Sequence, residues 1–597
     1  MTQEDAFTLA KLTERVATRR SVLKFAVATA GTLGVTGLLA ACGGDDDDDD
    51  DDGGTTPAAT SGTSSEPTAT TAASGGASPE TTASAGTSDE PTATAAAGAP
   101  TTATGGGEGK QGGTLTLGFN VQQLLQLDPA RISTGRVAGQ LSCNLSSALV
   151  QFDETLAIQP DLAESWEVSD DGLVYTFHLR DGLTFHNGDP LKAEDFVYTF
   201  NRTQDEALAS PHANKLANIN KAEAVDELTF EMTFNDPFGP FLAVACSRGP
   251  GRALAPIPKR AVDEIGEDEF LLKPVGSGPF MLVPDTMDPQ GGFEMVAFEN
   301  WYGGRPFLDK IVVKFIPEPA SQANALAAGD IDMINEVPAQ GWDQLEGADG
   351  VVLEQSPGTN WIGLQFNTTR PPWDQIDARL AIAKAINKDE FVEKARFGLA
   401  DPSHGAIAPA FAWAFVPLDQ LEENPQAYDL DEAKSMAEAT GVLDAKPKLL
   451  TGAADDRNEQ QIRNQLQDLG IDVELDKVED AVYNDRWQNG DYDWAINGSV
   501  VDADPDDNDF NFFYPDGPWN TGKWNNDQAK QLLDAERATS DQDARAKAFQ
   551  DLMYLTLKEA PLAFLYHQFD MVGYRDFVKD YVKIPEMRYL ERVWLDK

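Results

Sequence analysis

The stretch QIRNQLQDLGIDVEL, residues 461–475, indicates the fold class of this chain. Its first nine residues have the amphipathic spacing of a helix and run into Gly470, typical of the glycine that follows a last helical turn. Residues 471–475 then alternate apolar and polar groups, as a strand does. Strand and helix alternate in this way through residues 448–500, which predicts a compact α/β unit with a partly parallel sheet.

Patterns elsewhere in the chain are also of mixed α/β type. Alternation predicts strands over 114–119 and 174–179. An acidic first turn at 193–195 predicts the start of a helix, and amphipathic spacing predicts helices over 379–394 and 541–559.

The amino terminus reads as an export signal with a lipidation site. Arg19 and Arg20 precede a weakly apolar segment and resemble a twin-arginine signal, although Val22 stands where that signal carries Phe. Leu-Ala-Ala-Cys, ending at Cys42, resembles a lipobox and would make Cys42 the lipidated amino terminus of the mature protein. Residues 25–41 are short and Gly/Thr-diluted for a membrane span, but an amino-terminal transmembrane anchor stays the alternative.

A polar segment separates this signal from the rest of the chain. Residues 45–52 are eight consecutive aspartates, and residues 53–112 are almost wholly Gly, Ala, Ser, Thr and Pro. This composition buries too little apolar surface to form a core, so residues 42–112 are expected to be a disordered, anchored tether. Its flexible part reaches roughly 45 Å. Metal scavenging by the aspartates is the alternative to a solvated spacer.

The body, residues 113–597, is long enough for two or three domains. The chain carries a net charge of -52, of which -42 lies on the body. A surface this acidic disfavours nucleic acid and anionic membranes as partners. Cys143 and Cys246 are the only cysteines of the body, and either buried free thiols or one disulfide fits their surroundings.

The motifs of common enzymes and metal sites are missing from the sequence. The five histidines (His178, His186, His212, His404 and His567) are scattered, without a zinc-protease, paired-cysteine or serine-hydrolase motif. Residues 502–507 open like a calcium loop, but Asp507 stands where that loop needs Gly and Phe513 where it needs Glu. We therefore expect no enzyme, no cofactor and no metal site.

A series of short motifs runs through the whole body. They are 112–115 (GGTL), 162–166 (LAESW), 175–182 (YTFHLRDG), 185–196 (FHNGDPLKAEDF), 276–280 (GSGPF), 300–309 (NWYGGRPFLD), 325–332 (ALAAGDID), 367–387 with Asn367, Pro371, Pro372, Arg379 and Ala385-Ile386-Asn387, and 469–473 (LGIDV). In these motifs and in their order, the body resembles the dipeptide and oligopeptide-binding family of extracytoplasmic solute-binding proteins of ABC importers.

The resemblance implies a two-lobed periplasmic-binding-protein type II fold with three domains and an interlobe ligand cleft. Domain I would combine residues 113–152, 277–366 and 567–597, domain II would be residues 153–276, and domain III residues 367–566. The chain crossings near 366–367 and 566–567 would then form the hinge about which the lobes close. The histidines and aromatic residues of the motifs are expected to pack the fold rather than to touch the ligand.

The resemblance also implies a ligand site. In the peptide binders a domain III carboxylate, in a segment Gly-Trp-x-x-Asp followed by Asp-Pro, pairs with the ligand ammonium. Residues 498–505 fit this pattern with Asp502 as the carboxylate, although Ser499 replaces the tryptophan and one residue is missing before Asp504-Pro505. Asp502 as a turn-capping loop residue is the alternative. The remaining ligand-binding candidates are Gly498, Ser499, Val500, Trp361, Asn360, Phe119 and Asn120.

The predicted function is a monomeric, lipid-anchored receptor that captures di- or oligopeptides and delivers them to an ABC permease with its ATPases. Alternatives are a receptor of the same fold for oligosaccharide, nickel, haem or another small solute, a signalling sensor, and a hydrolase. A sugar receptor would line its cleft with aromatics such as Trp361, Trp413, Trp494 and Trp519. A hydrolase would need a nucleophile and base that the sequence lacks.

Overall fold

The computed structural model describes residues 109–452, 457–499 and 503–597. The predictions for Arg19, Arg20, Cys42, Val500 and Asp502 lie outside the described residues.

Within the described ranges the strands form one large mixed sheet and three smaller sheets. In chain order they are β1 (Thr114–Phe119), β2 (Val150–Phe152), β3 (Ile158–Pro160), β4 (Ala163–Val168), β5 (Val174–Leu179), β6 (Ile219–Ala224), β7 (Thr229–Phe234), β8 (Phe280–Leu282), β9 (Gly292–Ala297), β10 (Lys310–Phe315), β11 (Met333–Ile334), β12 (Val351–Pro357), β13 (Ile362–Phe366), β14 (Ala400–Pro402), β15 (Lys448–Thr451), β16 (Glu474–Lys477), β17 (Trp494–Gly498), β18 (Leu562–Arg575), β19 (Val578–Lys579) and β20 (Trp594–Leu595).

The helices surround these sheets. They are α1 (Gly135–Val137), α2 (Cys143–Leu145), α3 (Ala193–Gln204), α4 (Phe241–Cys246), α5 (Lys259–Ile265), α6 (Glu267–Phe270), α7 (Pro319–Ala328), α8 (Ala339–Leu345), α9 (Ile376–Ala385), α10 (Lys388–Arg396), α11 (Leu430–Thr440), α12 (Arg457–Leu469), α13 (Asp480–Gln488), α14 (Asp506–Phe513), α15 (Asp527–Arg537) and α16 (Gln542–Glu559). A π-helical turn, Ala138–Ser142, joins α1 to α2. In the part of the chain that the structure describes, no helix has the length and hydropathy needed to cross a bilayer.

The large sheet has the order β16-β15-β17-β13-β18-β11-β1-β10-β9-β8, and β12 and β14 pair with β18. Strand β15 is parallel to β16 and β17, which confirms the partly parallel α/β unit predicted for residues 448–500. Strand β18 joins the two halves of the sheet because its first part pairs with β13 and its second part with β12. A separate antiparallel sheet has the order β4-β5-β7-β6 and lies within residues 163–234.

Local chemistry explains where the predicted elements begin and end. The helix predicted over 379–394 is two helices, because the side chain of Asn387 caps α10 by accepting a hydrogen bond from the Glu390 amide. Strand β16 begins three residues later than predicted. Gly470 has a φ of 92° after α12, the left-handed conformation that glycine tolerates at a helix end.

The two lobes of this α/β fold share part of their buried surface. One hydrophobic cluster contains Phe177 and Phe241, which lie in predicted domain II, together with Phe411 and Phe549, which lie in predicted domain III. Separate clusters fill the two halves of the large sheet. The domain bounds themselves stay a prediction, and the domain names are used below in that sense.

Candidate functional site

The candidate site begins where β17 ends beside β13. The backbone of Trp361 donates to Ser499 Oγ at 2.7 Å, and the Ser499 amide donates to the Trp361 carbonyl at 2.9 Å. A Cβ added to Gly498 would lie 2.3 Å from that carbonyl oxygen, so the approach of the two strands requires glycine. In α/β sheets ligands bind outside the carboxyl ends of parallel strands, and β15 and β17 end at this edge.

Asn360 connects this edge to β18. Its side chain donates to Gln568 Oε1 at 2.8 Å, and its carbonyl accepts a hydrogen bond from His567 Nδ1 at 3.2 Å. His567 is 1% exposed, and burial lowers the pKa of its ring to about 3. The structure therefore brings four predicted residues together: Gly498, Ser499, Trp361 and Asn360.

The other two described candidates, Phe119 and Asn120, lie at the carboxyl end of β1 in the other half of the sheet. The Asn120 amide donates to Asn335 Oδ1 at 3.0 Å, and the side chain of Asn335 donates to Gln140 Oε1 at 2.7 Å. The Phe119 carbonyl accepts a hydrogen bond from the Ile316 amide at 2.9 Å. These two candidates are thus bonded within their own half of the sheet, apart from Trp361 and Ser499. The Asn335 carbonyl accepts from Arg588, which also pairs with Asp570 on β18.

Asp504 and Asp506, which follow the candidate Asp502, each form an ion pair with an arginine. Arg545 Nη1 and Nη2 donate to the Asp504 carboxylate at 2.9 and 2.7 Å. Arg537 donates to Asp506 at 2.6 and 2.9 Å. In this arrangement both carboxylates are used by arginines, which disfavours their use as calcium ligands. Across the described ranges, no group of three or more His, Cys, Asp or Glu side chains is arranged as metal ligands.

Asp509 on α14 is a buried carboxylate that sequence reasoning missed. It is 1% exposed, and neither of its oxygens has a hydrogen-bond partner among the described residues. Burial raises its pKa well above the ordinary value, and the neighbouring Asp506 carboxylate raises it further. The indole of Trp361 partly offsets this effect without reaching hydrogen-bond geometry. The sequence feature that could have identified Asp509 is its i, i+3 spacing from Asp506. That spacing is hard to recognise because both residues lie in an acidic run typical of a helix start.

The aromatics that a sugar receptor would use pack into the protein. Trp494 is fully buried against Trp373, and Trp361 packs against Phe512 and Phe564. Half-buried Trp413 packs against Phe549, and half-buried Trp519 against Phe512. These contacts disfavour a stacking platform for sugar rings.

Cys143 and Cys246 are buried free thiols, which resolves the choice that the sequence left open.

Comparisons with a family model, with curated proteins and with solved structures identify relatives of the chain. The model of "Bacterial extracellular solute-binding proteins, family 5 Middle" matches residues 157–521. A probable D,D-dipeptide-binding periplasmic protein of Escherichia coli is 30% identical over 440 residues, 72% of this chain and 83% of that protein. Heme-binding protein A of Haemophilus influenzae is 28% identical and aligned over 77% of this chain and 88% of that protein.

Among solved structures, an ABC transporter-associated periplasmic binding protein of Helicobacter pylori in complex with the peptide STSA has a TM-score of 0.69. It is 28% identical, and the match covers 82% of this chain and 99% of that one. These similarities confirm the two-lobed α/β fold and an extracytoplasmic binding receptor rather than an enzyme. The chain belongs to family 5 of the bacterial extracellular solute-binding proteins.

Proposed function

We propose that this protein is the lipid-anchored receptor of an ABC importer, that it captures di- or oligopeptides between its lobes, and that it delivers them to the permease. The observation that carries the peptide assignment is Asp509, a buried carboxylate beside Trp361 without a cationic partner among the described residues. A peptide ammonium close to this carboxyl would lower its raised pKa and favour its charged form. Two relatives point the same way, since one is named for a D,D-dipeptide and one was solved with a peptide.

Asp502 is the proposed direct partner of that ammonium. It follows Ser499, whose backbone and side chain are both fixed against Trp361. Asp509 lies on the helix behind Trp361, at the same end of the cleft, where a nearby ammonium would favour its ionised form. Gly498, Val500, Asn360, Phe119 and Asn120 would line the path of the peptide.

Closure would occur about the crossings near 366–367 and 566–567, between domain III (367–566) and domain I (113–152, 277–366 and 567–597). Domain II (153–276), which is inserted in domain I, would move together with domain I. The protein partners are the permease subunits with their ATPases. A lipid on Cys42 anchors the receptor to the membrane, and the signal that contains Arg19 and Arg20 directs its export. The acidic body excludes nucleic acid as a partner, and the receptor acts as a monomer.

Calorimetry with di-, tri- and tetrapeptides, each with a free and an acetylated amino terminus, tests the proposal. Asp502→Asn keeps the shape of the side chain and removes its charge, so the best peptide should lose about 3 to 5 kcal/mol of binding free energy, or 10²-fold and more in affinity. Acetylation should weaken binding to the wild type for the same reason. Asp516→Asn, at an exposed position of domain III, is the matched control and should bind like the wild type.

Equal affinity of both proteins for free and acetylated peptide would remove Asp502 from the site. Binding of an oligosaccharide, nickel or haem in place of any peptide would refute the peptide assignment while leaving the receptor role in place.

A further inference from the structure

Domains II and III meet at a backbone contact that lies away from the candidate site. The amide of Gly239, between β7 and α4, donates to the carbonyl of Arg537, at the end of α15, at 2.8 Å. A Cβ added to Gly239 would lie 1.7 Å from the Thr539 carbonyl oxygen and 3.3 Å from that of Glu536. The φ of Gly239 is not positive, so it is the space between the domains, and not the backbone conformation, that requires glycine here.

Side chains extend this contact on both sides. The guanidinium of Arg537 lies 3.2 Å from the ring centroid of Phe510 in its own domain and 5.4 Å from that of Phe238 in domain II. Lys215, in the 3₁₀ turn Ala213–Leu216 of domain II, forms an ion pair with Asp507 of domain III. Both side chains of this ion pair are partly buried, so salt screens it less than it screens a surface ion pair.

The domain III side of this contact is built on the helix that supports the candidate site. Asp506, which holds Arg537, and Asp507, which pairs with Lys215, are the first two residues of α14. Further along the same helix, Asp509 and Phe512 lie against Trp361, with 4.8 Å between the ring centroids of Trp361 and Phe512. A short helix therefore contacts domain II at its start and the candidate site further along.

We propose that Lys215, Phe238 and Gly239 of domain II form, with Asp507, Arg537 and Thr539 of domain III, a closure contact that holds the cleft shut around a bound solute. The inference rests on the proposed receptor function and deepens it. In the proposed hinge motion domains II and III separate as the cleft opens, so a contact between them would stabilise the closed state relative to the open one and shift the population between them. It sets how long a solute stays bound without recognising the solute.

Gly239→Ala in the full chain tests the contact, because a methyl group cannot occupy the space beside the Thr539 carbonyl. We expect a larger radius of gyration in small-angle X-ray scattering. For the best peptide of the calorimetric screen we expect dissociation at least tenfold faster and association within threefold of the wild type. The matched control is Gly341→Ala in α8, where an added Cβ meets only ordinary contacts at 3.5 Å or more.

Lys215→Met is the second variant, since it removes the ion pair without introducing a clash and should shift both measurements in the same direction by less. If both variants keep the radius of gyration and the dissociation rate of the wild type, the proposal is overturned. If no peptide binds any of the proteins, the proposed ligand class fails, while the radius of gyration still decides whether the contact controls closure.

Discussion

The burial of His567 makes a quantitative prediction about acid stability. Burial, opposed only in part by the hydrogen bond to Asn360, lowers the pKa of its ring from 6.5 to about 3. The unfolded chain takes up this proton below pH 6.5, whereas the folded chain stays neutral at the ring, so the free energy of unfolding falls as the pH falls. Between pH 7 and pH 5 the loss is about 2 kcal/mol, set almost wholly by the unfolded state.

His567→Gln removes the titrating ring while leaving a side chain that can hydrogen-bond. Urea unfolding of both proteins at pH 7 and pH 5 gives a double difference in which the cost of the substitution itself cancels. We expect the variant to lose about 2 kcal/mol less than the wild type between the two pH values. His212→Gln, where burial lowers the pKa well below 6.5 at a separate place, should give a similar difference. Parallel loss of stability in the wild type and the His567 variant would refute the reasoning.

Two further predictions concern the site and the anchor. Ser499→Ala leaves the Trp361 amide without its acceptor at a buried position, so we expect a loss of about 1 to 3 kcal/mol in unfolding free energy. The control is Ser435→Ala, at an exposed position of α11. Cys42→Ala should release the body from the membrane with unchanged ligand affinity, and a variant that still sediments with carbonate-washed membranes would contradict the lipid anchor.

Elements with a clear local pattern were predictable from the sequence. The alternation in 114–119 and 174–179 specifies β1 and β5 to the residue, because one face of each strand is buried. The predicted helix 379–394 is divided because the cap at Asn387 competes locally with helix continuation, which the amphipathic pattern does not record.

The site was predictable only in part, because its contacts are long-range. Ser499 and Trp361 are 138 positions apart, and their pairing follows from sheet order rather than from either local sequence. The family pattern nevertheless marked both residues. Asp509 and Gly239 were missed because an acidic helix start and a loop glycine are both common, and what distinguishes them is a neighbour far away in the chain.

Helix α14 gives a physical reason why solute charge and lobe closure belong together in this receptor. Asp506 and Asp507 are compensated by cations, one of which comes from domain II, whereas Asp509 has no cation among the described residues. A cationic solute group near Trp361 would favour the ionised form of Asp509, whose pKa burial raises, and would stabilise the turn of the helix that lies against Trp361. A solute group that fixes the turn at Asp509 would act on the same helix whose first turn contacts Lys215. Recognition of charge and retention of the solute would then depend on the position of the same eight residues.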